Sequence, residues 1–195
     1  MKILIASQNQ HKIEEIKAFL DFKVELISMS EMGIEEDIPE TGQTLSENSL
    51  LKAQYLANKF DLPCLADDSG LEVEALNGAP GVFSARYAGE EKDDQKNMNL
   101  LLDNLRDLEN KNARFVTVLT FHFKGEFHQF EGEIKGRIIS NKRGNQGFGY
   151  DPIFIPEGFE KTFGEMSLAE KNTIAHRARA LEKFKIFLKK QVIIE

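Results

Sequence analysis

Cysteine is nearly absent from this 195-residue chain. Its one thiol, Cys64, excludes an intramolecular disulfide, and no Cys/His set stands at zinc-binding spacing. That usage is compatible with a reducing compartment, and in Pro63-Cys64-Leu65-Ala66 the thiol reads as a small core residue. No apolar run approaches the ~18 residues of a membrane helix. The opening Met1-Lys2-Ile3-Leu4-Ile5-Ala6 is too short for a signal peptide. The expectation is a soluble cytoplasmic protein with no membrane partner. Basic excess is missing too: 25 Lys and Arg face 32 Asp and Glu, a net charge of −7. This argues against a general grip on nucleic acid. It leaves room for a small anionic ligand held by a few focused cations. There is no internal repeat, no low-complexity segment and no clear linker.

What remains is ordinary for a folded protein, 41% hydrophobic and 29% charged. The length suits one domain, residues 1–195, with two lobes. Residues 2–6 read as a buried strand, followed by a helix from about Gln10 to Leu20 and a second strand over Lys23 to Ile27. A strand–helix–strand start favours a sheet with a crossover. Residues 29–44 form an acidic loop with Glu35, Glu36, Asp37 and Glu40. Thr44-Leu45-Ser46-Glu47 is a capping box that opens a helix to about Phe60. On it Thr44, Asn48 and Lys52 make one polar stripe at i, i+4 spacing. A short strand is expected over Glu72 to Leu76, a helix over Asp94 to Leu108, and a hairpin around Lys124-Gly125-Glu126. Ser167-Leu168-Ala169-Glu170 is a second capping box, opening a helix to about Lys190.

Four polar clusters carry candidate chemistry. Leu65-Ala66-Asp67-Asp68-Ser69-Gly70 places two carboxylates after an apolar stretch and, from its Ser-Gly ending, before a turn. Alternation along a strand sends adjacent side chains to opposite faces, so Asp67 and Asp68 should have unequal roles. A metal would remove the weakness of an ordinary aspartate as a base, and hard oxygen ligands suit Mg²⁺. Ser7-Gln8-Asn9-Gln10-His11-Lys12 lies where the first strand meets a helix N-terminus, a natural phosphate site; it reads equally as a helix cap with a solvated lysine. Gly144, Gly147 and Gly149 lack the Gly-Lys-Ser/Thr ending of a P-loop. Those glycines permit close backbone approach, and Phe148 or Tyr150 has a ring to stack on a base. Lys171 and His176-Arg177 share the last helix, where ideal geometry sets Lys171 and His176 ~140° apart.

In order and spacing these clusters resemble the inosine triphosphate pyrophosphatase family over nearly the whole chain. The resemblance rests on Ser7, Asn9 and Lys12, on Glu40-Thr41-Gly42 followed by Glu47-Asn48 and Lys52-Ala53, and on Ala66 through Gly70. It continues through Gly78-Ala79-Pro80-Gly81, Ser84-Ala85-Arg86-Tyr87, Phe148 through Pro152, and Lys171 with His176-Arg177. It implies an elongated α/β fold, a central mixed sheet flanked by helices with two lobes around a nucleotide cleft. It also implies a homodimer and Mg²⁺-dependent hydrolysis of ITP, dITP or XTP to monophosphate and pyrophosphate. Asp68 would be the catalytic carboxylate and a metal ligand, with Glu40 the second metal contact. Ser7, Asn9, Lys12, Lys52 and Ser69 would hold phosphates. Phe148, Gly149, Tyr150, Asp151, Lys171, His176 and Arg177 would form the base and sugar pocket.

Two positions depart from the family pattern: Ser49 where Ala is common, which looks neutral, and Ala175 where Ser is common, which removes a hydroxyl donor. Hypoxanthine and xanthine present a 6-oxo acceptor that His176 or Arg177 can meet, where adenine presents a donor. The alternatives are a Maf-like pyrophosphatase with another base preference and a non-catalytic nucleotide-binding module.

Overall fold

The computed structural model describes residues 1–20, 24–34 and 36–192. Among the described residues six strands and five α-helices follow in the order β1 (Lys2–Ala6), α1 (Gln10–Phe19), β2 (Glu25–Ser28), α2 (Leu45–Lys59), β3 (Cys64–Val73), α3 (Asp94–Leu105), β4 (Asn112–Phe123), β5 (Glu126–Ile138), β6 (Phe154–Pro156), α4 (Leu168–Ile174) and α5 (His176–Val192). The strands form one mixed sheet in the order β2-β1-β3-β4-β5-β6. β1 runs parallel to β2 and to β3, with Ile3 opposite Leu26 and Ile5 opposite Leu65. β5 runs antiparallel to β6. The expected α/β fold with a mixed sheet and flanking helices is the observed one. The expected start of the second strand at Lys23, and Glu35 in the acidic loop, lie outside the described residues. Among the described residues no helix is long and apolar enough to cross a membrane.

The chain divides into two compact units. One comprises Met1–Asp68, Thr117–Gly132 and Arg177–Glu195; the other comprises Ser69–Val116 and Glu133–His176. In the first unit, strand alternation sorts the core into two layers. Ile3, Ile5 and Leu65 pack with Ile13 and Ile16 of α1 and with Leu181 and Phe184 of α5. Leu4, Ala6, Cys64 and Ala66 pack instead with Ala53 and Leu56 of α2. Thr44 caps α2 by accepting from the Glu47 N–H, as its capping box predicts. Lys124 and Gly125 turn the β4–β5 hairpin with positive φ of 51° and 83°, the geometry that matches strand twist in a two-residue loop. In the second unit Leu71, Met98, Leu101, Phe115, Phe154 and Phe163 form a separate core.

Three expectations are corrected. Ser69-Gly70 is not a turn: β3 runs unbroken from Cys64 to Val73, so the two aspartates are mid-strand and no separate strand starts at Glu72. Gly70 serves close packing there, since a Cβ would lie 2.4 Å from the Gly81 carbonyl oxygen. The helix opened by Ser167 does not run to Lys190. It stops at Ile174, Ala175 is extended (φ −65°, ψ 157°), and α5 starts afresh at His176. The ideal-helix angle between Lys171 and His176 therefore does not apply. Finally, α3 ends at Leu105 rather than Leu108, with Asp93 as its N-cap.

Candidate active site

Continuity of β3 decides where the two carboxylates go. Asp67 follows Leu65 onto the layer of α1 and α5; Asp68 follows Ala66 onto the layer of α2. Asp67 Oδ2 accepts from Arg177 Nε at 2.7 Å, and its Oδ1 lies 2.6 Å from Lys12 Nζ. Arg177 also pairs with Glu15, a second buried carboxylate. Burial by itself would raise the Asp67 carboxyl. The Arg177 and Lys12 cations outweigh it and hold Asp67 well below the usual carboxylate range. Asp67 is thus a committed anion that fixes two cations.

Asp68 has a different environment. Its Oδ1 accepts from Lys52 Nζ at 2.8 Å, and its Oδ2 is buried without a hydrogen-bond partner among the described residues. The same ammonium donates to Glu40 Oε1 at 3.0 Å and to the Asp67 carbonyl at 2.7 Å. Burial pushes Asp68 up; the Lys52 and Lys12 cations oppose that, and the Glu40 carboxylate adds to it. Burial penalises the Lys52 ammonium, yet Asp68 and Glu40 together raise its pKa. A buried carboxylate with a raised pKa and an unfilled lone pair is the type of group that accepts a proton or ligates a cation.

The donor set can be tested against Mg²⁺. Glu40 and Asp68 are hard oxygen donors meeting on one lysine, and Asp68 Oδ2 is an orphaned buried acceptor. Two carboxylates with the remaining positions left to water and phosphate oxygens suit a hard divalent cation. Among the described residues no group of three or more His, Cys, Asp or Glu stands at metal-binding distance, so protein alone would not complete the shell. The residues present fit an ion shared with a phosphorylated ligand.

At the start of α1, Ser7 Oγ accepts from the Asn9 N–H at 3.1 Å and Asn9 Oδ1 accepts from the Lys12 N–H at 3.2 Å. Asn9 caps the helix and Ser7 holds the cap residue. They do so as acceptors, so these contacts leave the Ser7 hydroxyl proton and the Asn9 NH₂ uncommitted. Lys12 is not a solvated lysine, because Asp67 holds it.

The second unit organises the glycine loop around Asp151. Asp151 Oδ2 accepts from the Phe148 N–H at 2.9 Å and from Lys171 Nζ at 2.6 Å. Lys171 is buried, 5.0 Å from the Phe148 ring centre and 5.5 Å from that of Phe163. Gly149 N–H donates to Asp94 Oδ2 at 2.7 Å. The close approach at Gly147 is to the chain's own carboxylate, since a Cβ there would lie 2.0 Å from Asp151 Oδ2. Tyr150 corrects the stacking expectation. It is buried in the core and donates its hydroxyl to the Ser84 carbonyl at 2.9 Å, so Phe148, half-buried, is the ring left to stack. His176 is buried with its ring parallel to Phe115 at 4.8 Å. Ser69 is half-buried on β3. His176 belongs to the second unit and Arg177 to the first, where it pairs with Asp67 and Glu15.

Sequence reasoning missed Glu15 and Asp94. Glu15 had a signal, standing one turn after Lys12 on the same helix face. Asp94 had none, because its partner is 55 residues away. The Ser49 hydroxyl is buried 2.8 Å from that of Thr120. Ala175 packs into the apolar core of the second unit.

The architecture is that of solved Ham1 proteins. The Staphylococcus aureus Ham1 protein superposes with a TM-score of 0.89, at 41% identity over 98% of this chain and 100% of that one. A nucleoside-triphosphatase, or dITP/XTP pyrophosphatase, from Mycobacterium abscessus superposes with a TM-score of 0.77, at 43% identity over 94% and 98%. The Ham1 family profile matches residues 3–187. The dITP/XTP pyrophosphatase of Flavobacterium psychrophilum is 52% identical over 92% of this chain and 95% of that protein; that of Porphyromonas gingivalis is 48% identical over 96% and 97%. The chain belongs to the Ham1 family.

Proposed function

We propose that this chain is a nucleoside-triphosphate pyrophosphatase that removes non-canonical purine nucleotides, ITP, dITP and XTP, as monophosphate and pyrophosphate. The observation that carries the reading is the buried Asp68 carboxylate, one oxygen on Lys52 and the other without a partner among the described residues. Relatives 46–52% identical over most of the chain bear the name dITP/XTP pyrophosphatase, which supports the substrate class.

Asp68 and Glu40 would hold Mg²⁺. When bound, the ion neutralises phosphate charge and lowers the pKa of water at the site. Asp68, raised by burial, orients the attacking water and takes its proton. Lys52 keeps Asp68 and Glu40 together and offers positive charge to the polyphosphate. Ser7, Asn9, Lys12 and Ser69 donate to phosphate oxygens, Lys12 being steadied by Asp67. Phe148 stacks on the base, and Lys171 and Gly149, fixed by Asp151 and Asp94, line its surroundings. Asp151, His176 and Arg177 complete base and sugar recognition. The working form is a cytoplasmic homodimer, as the family resemblance implies.

A panel of ITP, dITP, XTP, GTP, ATP and dTTP with Mg²⁺ tests the assignment by pyrophosphate release. Strong turnover of the first three and weak turnover of the rest is expected. Comparable turnover of ITP and GTP would sink the selectivity.

A further inference from the structure

We propose that Asn48 is a positioning residue that sets the reach of the Glu40 carboxylate, and so the cation affinity of the Glu40–Asp68 pair. The proposal rests on the reading of that pair as a metal site. Asn48 is fully buried one turn before Lys52 on α2. Its Oδ1 accepts from the Gly42 N–H at 2.8 Å, and its Nδ2 is buried without a partner among the described residues. One residue on, the Gln43 N–H donates to Glu47 Oε2 at 2.7 Å. Two residues before Gly42, Glu40 meets Lys52 at 3.0 Å. Three residues of α2, Glu47, Asn48 and Lys52, therefore hold the segment from Glu40 to Gln43.

Gly42 makes this joint tight. Its backbone needs no left-handed φ; a Cβ would lie 2.8 Å from Asn48 Oδ1 and 2.7 Å from Glu47 Cβ. The glycine is there to let the loop approach the asparagine. An orphaned buried amide donor costs stability, and helix capping alone does not require it. Thr44 and Glu47 already supply caps. The side-chain oxygen of Asn48 is the acceptor that holds Gly42, one turn before the lysine shared by Glu40 and Asp68. Side chains that orient metal ligands typically change affinity 10–100-fold when removed.

Mn²⁺ titrated alone into the 195-residue chain, followed by the electron paramagnetic resonance of the free ion, reads the effect without turnover. Asn48→Ala should weaken Mn²⁺ binding about 10-fold and raise the Mg²⁺ concentration for half-maximal dITP hydrolysis in parallel, with kcat at saturating Mg²⁺ changed far less. Asn48→Asp keeps the acceptor and should restore binding to within about 3-fold of wild type, a rescue that a purely structural asparagine would not show in metal affinity. Gly42→Ala strains the same joint from the loop side with α2 intact, and should match Asn48→Ala. It decides the matter should Asn48→Ala fail to fold. Wild-type Mn²⁺ affinity in a folded Asn48→Ala or Gly42→Ala protein overturns the assignment and leaves the metal site standing. A wild-type protein that binds no Mn²⁺ and hydrolyses dITP without added metal overturns the metal reading itself, and this proposal with it.

Discussion

Asp67 and Asp68 are joined by one peptide bond yet answer to different helices. Arg177 Nε of α5 lies 2.7 Å from Asp67 Oδ2, while Lys52 Nζ of α2 lies 2.8 Å from Asp68 Oδ1. Asp67 is saturated by two cations and held ionised. Asp68 shares one lysine with Glu40 and keeps an oxygen without a partner among the described residues. Their substitutions should therefore separate stability from catalysis.

Asp68→Asn should cut pyrophosphate release from dITP by about 10²–10⁴-fold, the usual range for losing a proton-accepting side chain. Nucleotide binding by calorimetry should persist. Wild-type-like turnover in this variant removes Asp68 from the chemistry.

Asp67→Asn should act first on folding. It leaves Arg177 and Lys12 short of a buried counter-charge, a break that costs about 3–5 kcal/mol. For a chain of this size that is a fall in Tm on the order of 10 °C. Because the folded Asp67 titrates below its unfolded value, its contribution is fully present above the ordinary carboxylate pKa and is lost as pH falls below about 4. Thermal melts of both proteins from pH 7 to pH 3 should converge toward the acid end. A constant gap across that range contradicts the assignment.

EDTA should stop dITP hydrolysis, and Mg²⁺ in excess should restore it, because an ion held by the proposed Glu40–Asp68 pair would take most of its shell from water and substrate. Activity that survives exhaustive chelation is incompatible with the proposed site.

Phe148→Ala should raise KM for dITP about 5- to 100-fold with little change in kcat, in line with ~1–3 kcal/mol for stacking a base on an aromatic ring. Lys171 keeps its direct 2.6 Å pair with Asp151 and its contact with Phe163 when that ring is removed, so the fold should hold. An unchanged KM assigns base contact elsewhere.

Cys64 should be inert in the native protein. Burial pushes its thiol up to about 11, with hydrogen bonds from the backbone nearby only partly opposing. At pH 8 the group stays protonated and covered, and a disulfide-exchange reagent should react only after denaturant is added. Rapid labelling of the folded protein refutes the core placement.

Much of the fold was legible in the residues. The Lys2–Ala6 strand, the capped helix from Leu45 and the turn at Lys124-Gly125 follow from local patterning and end signals, which are short-range physics. Ser69-Gly70 misled for the same reason. Both residues favour turns locally, and only the approach of Gly81, eleven residues on, explains a glycine inside a strand. The break at Ala175 was likewise hidden, since neither Ala175 nor His176 is a helix breaker by type.

For the site, the sequence by itself determined which residue types stand in which order, and strand alternation required that Asp67 and Asp68 differ. Which face each took depended on where α1, α2 and α5 pack, and that is set by apolar residues far apart in the chain. The same holds for the partners. Lys12 and Arg177 on Asp67, Lys52 between Glu40 and Asp68, and Asp94 on Gly149 are pairings across 12 to 110 residues. Buried charge must find its counter-charge wherever folding brings one, and no local propensity records that choice.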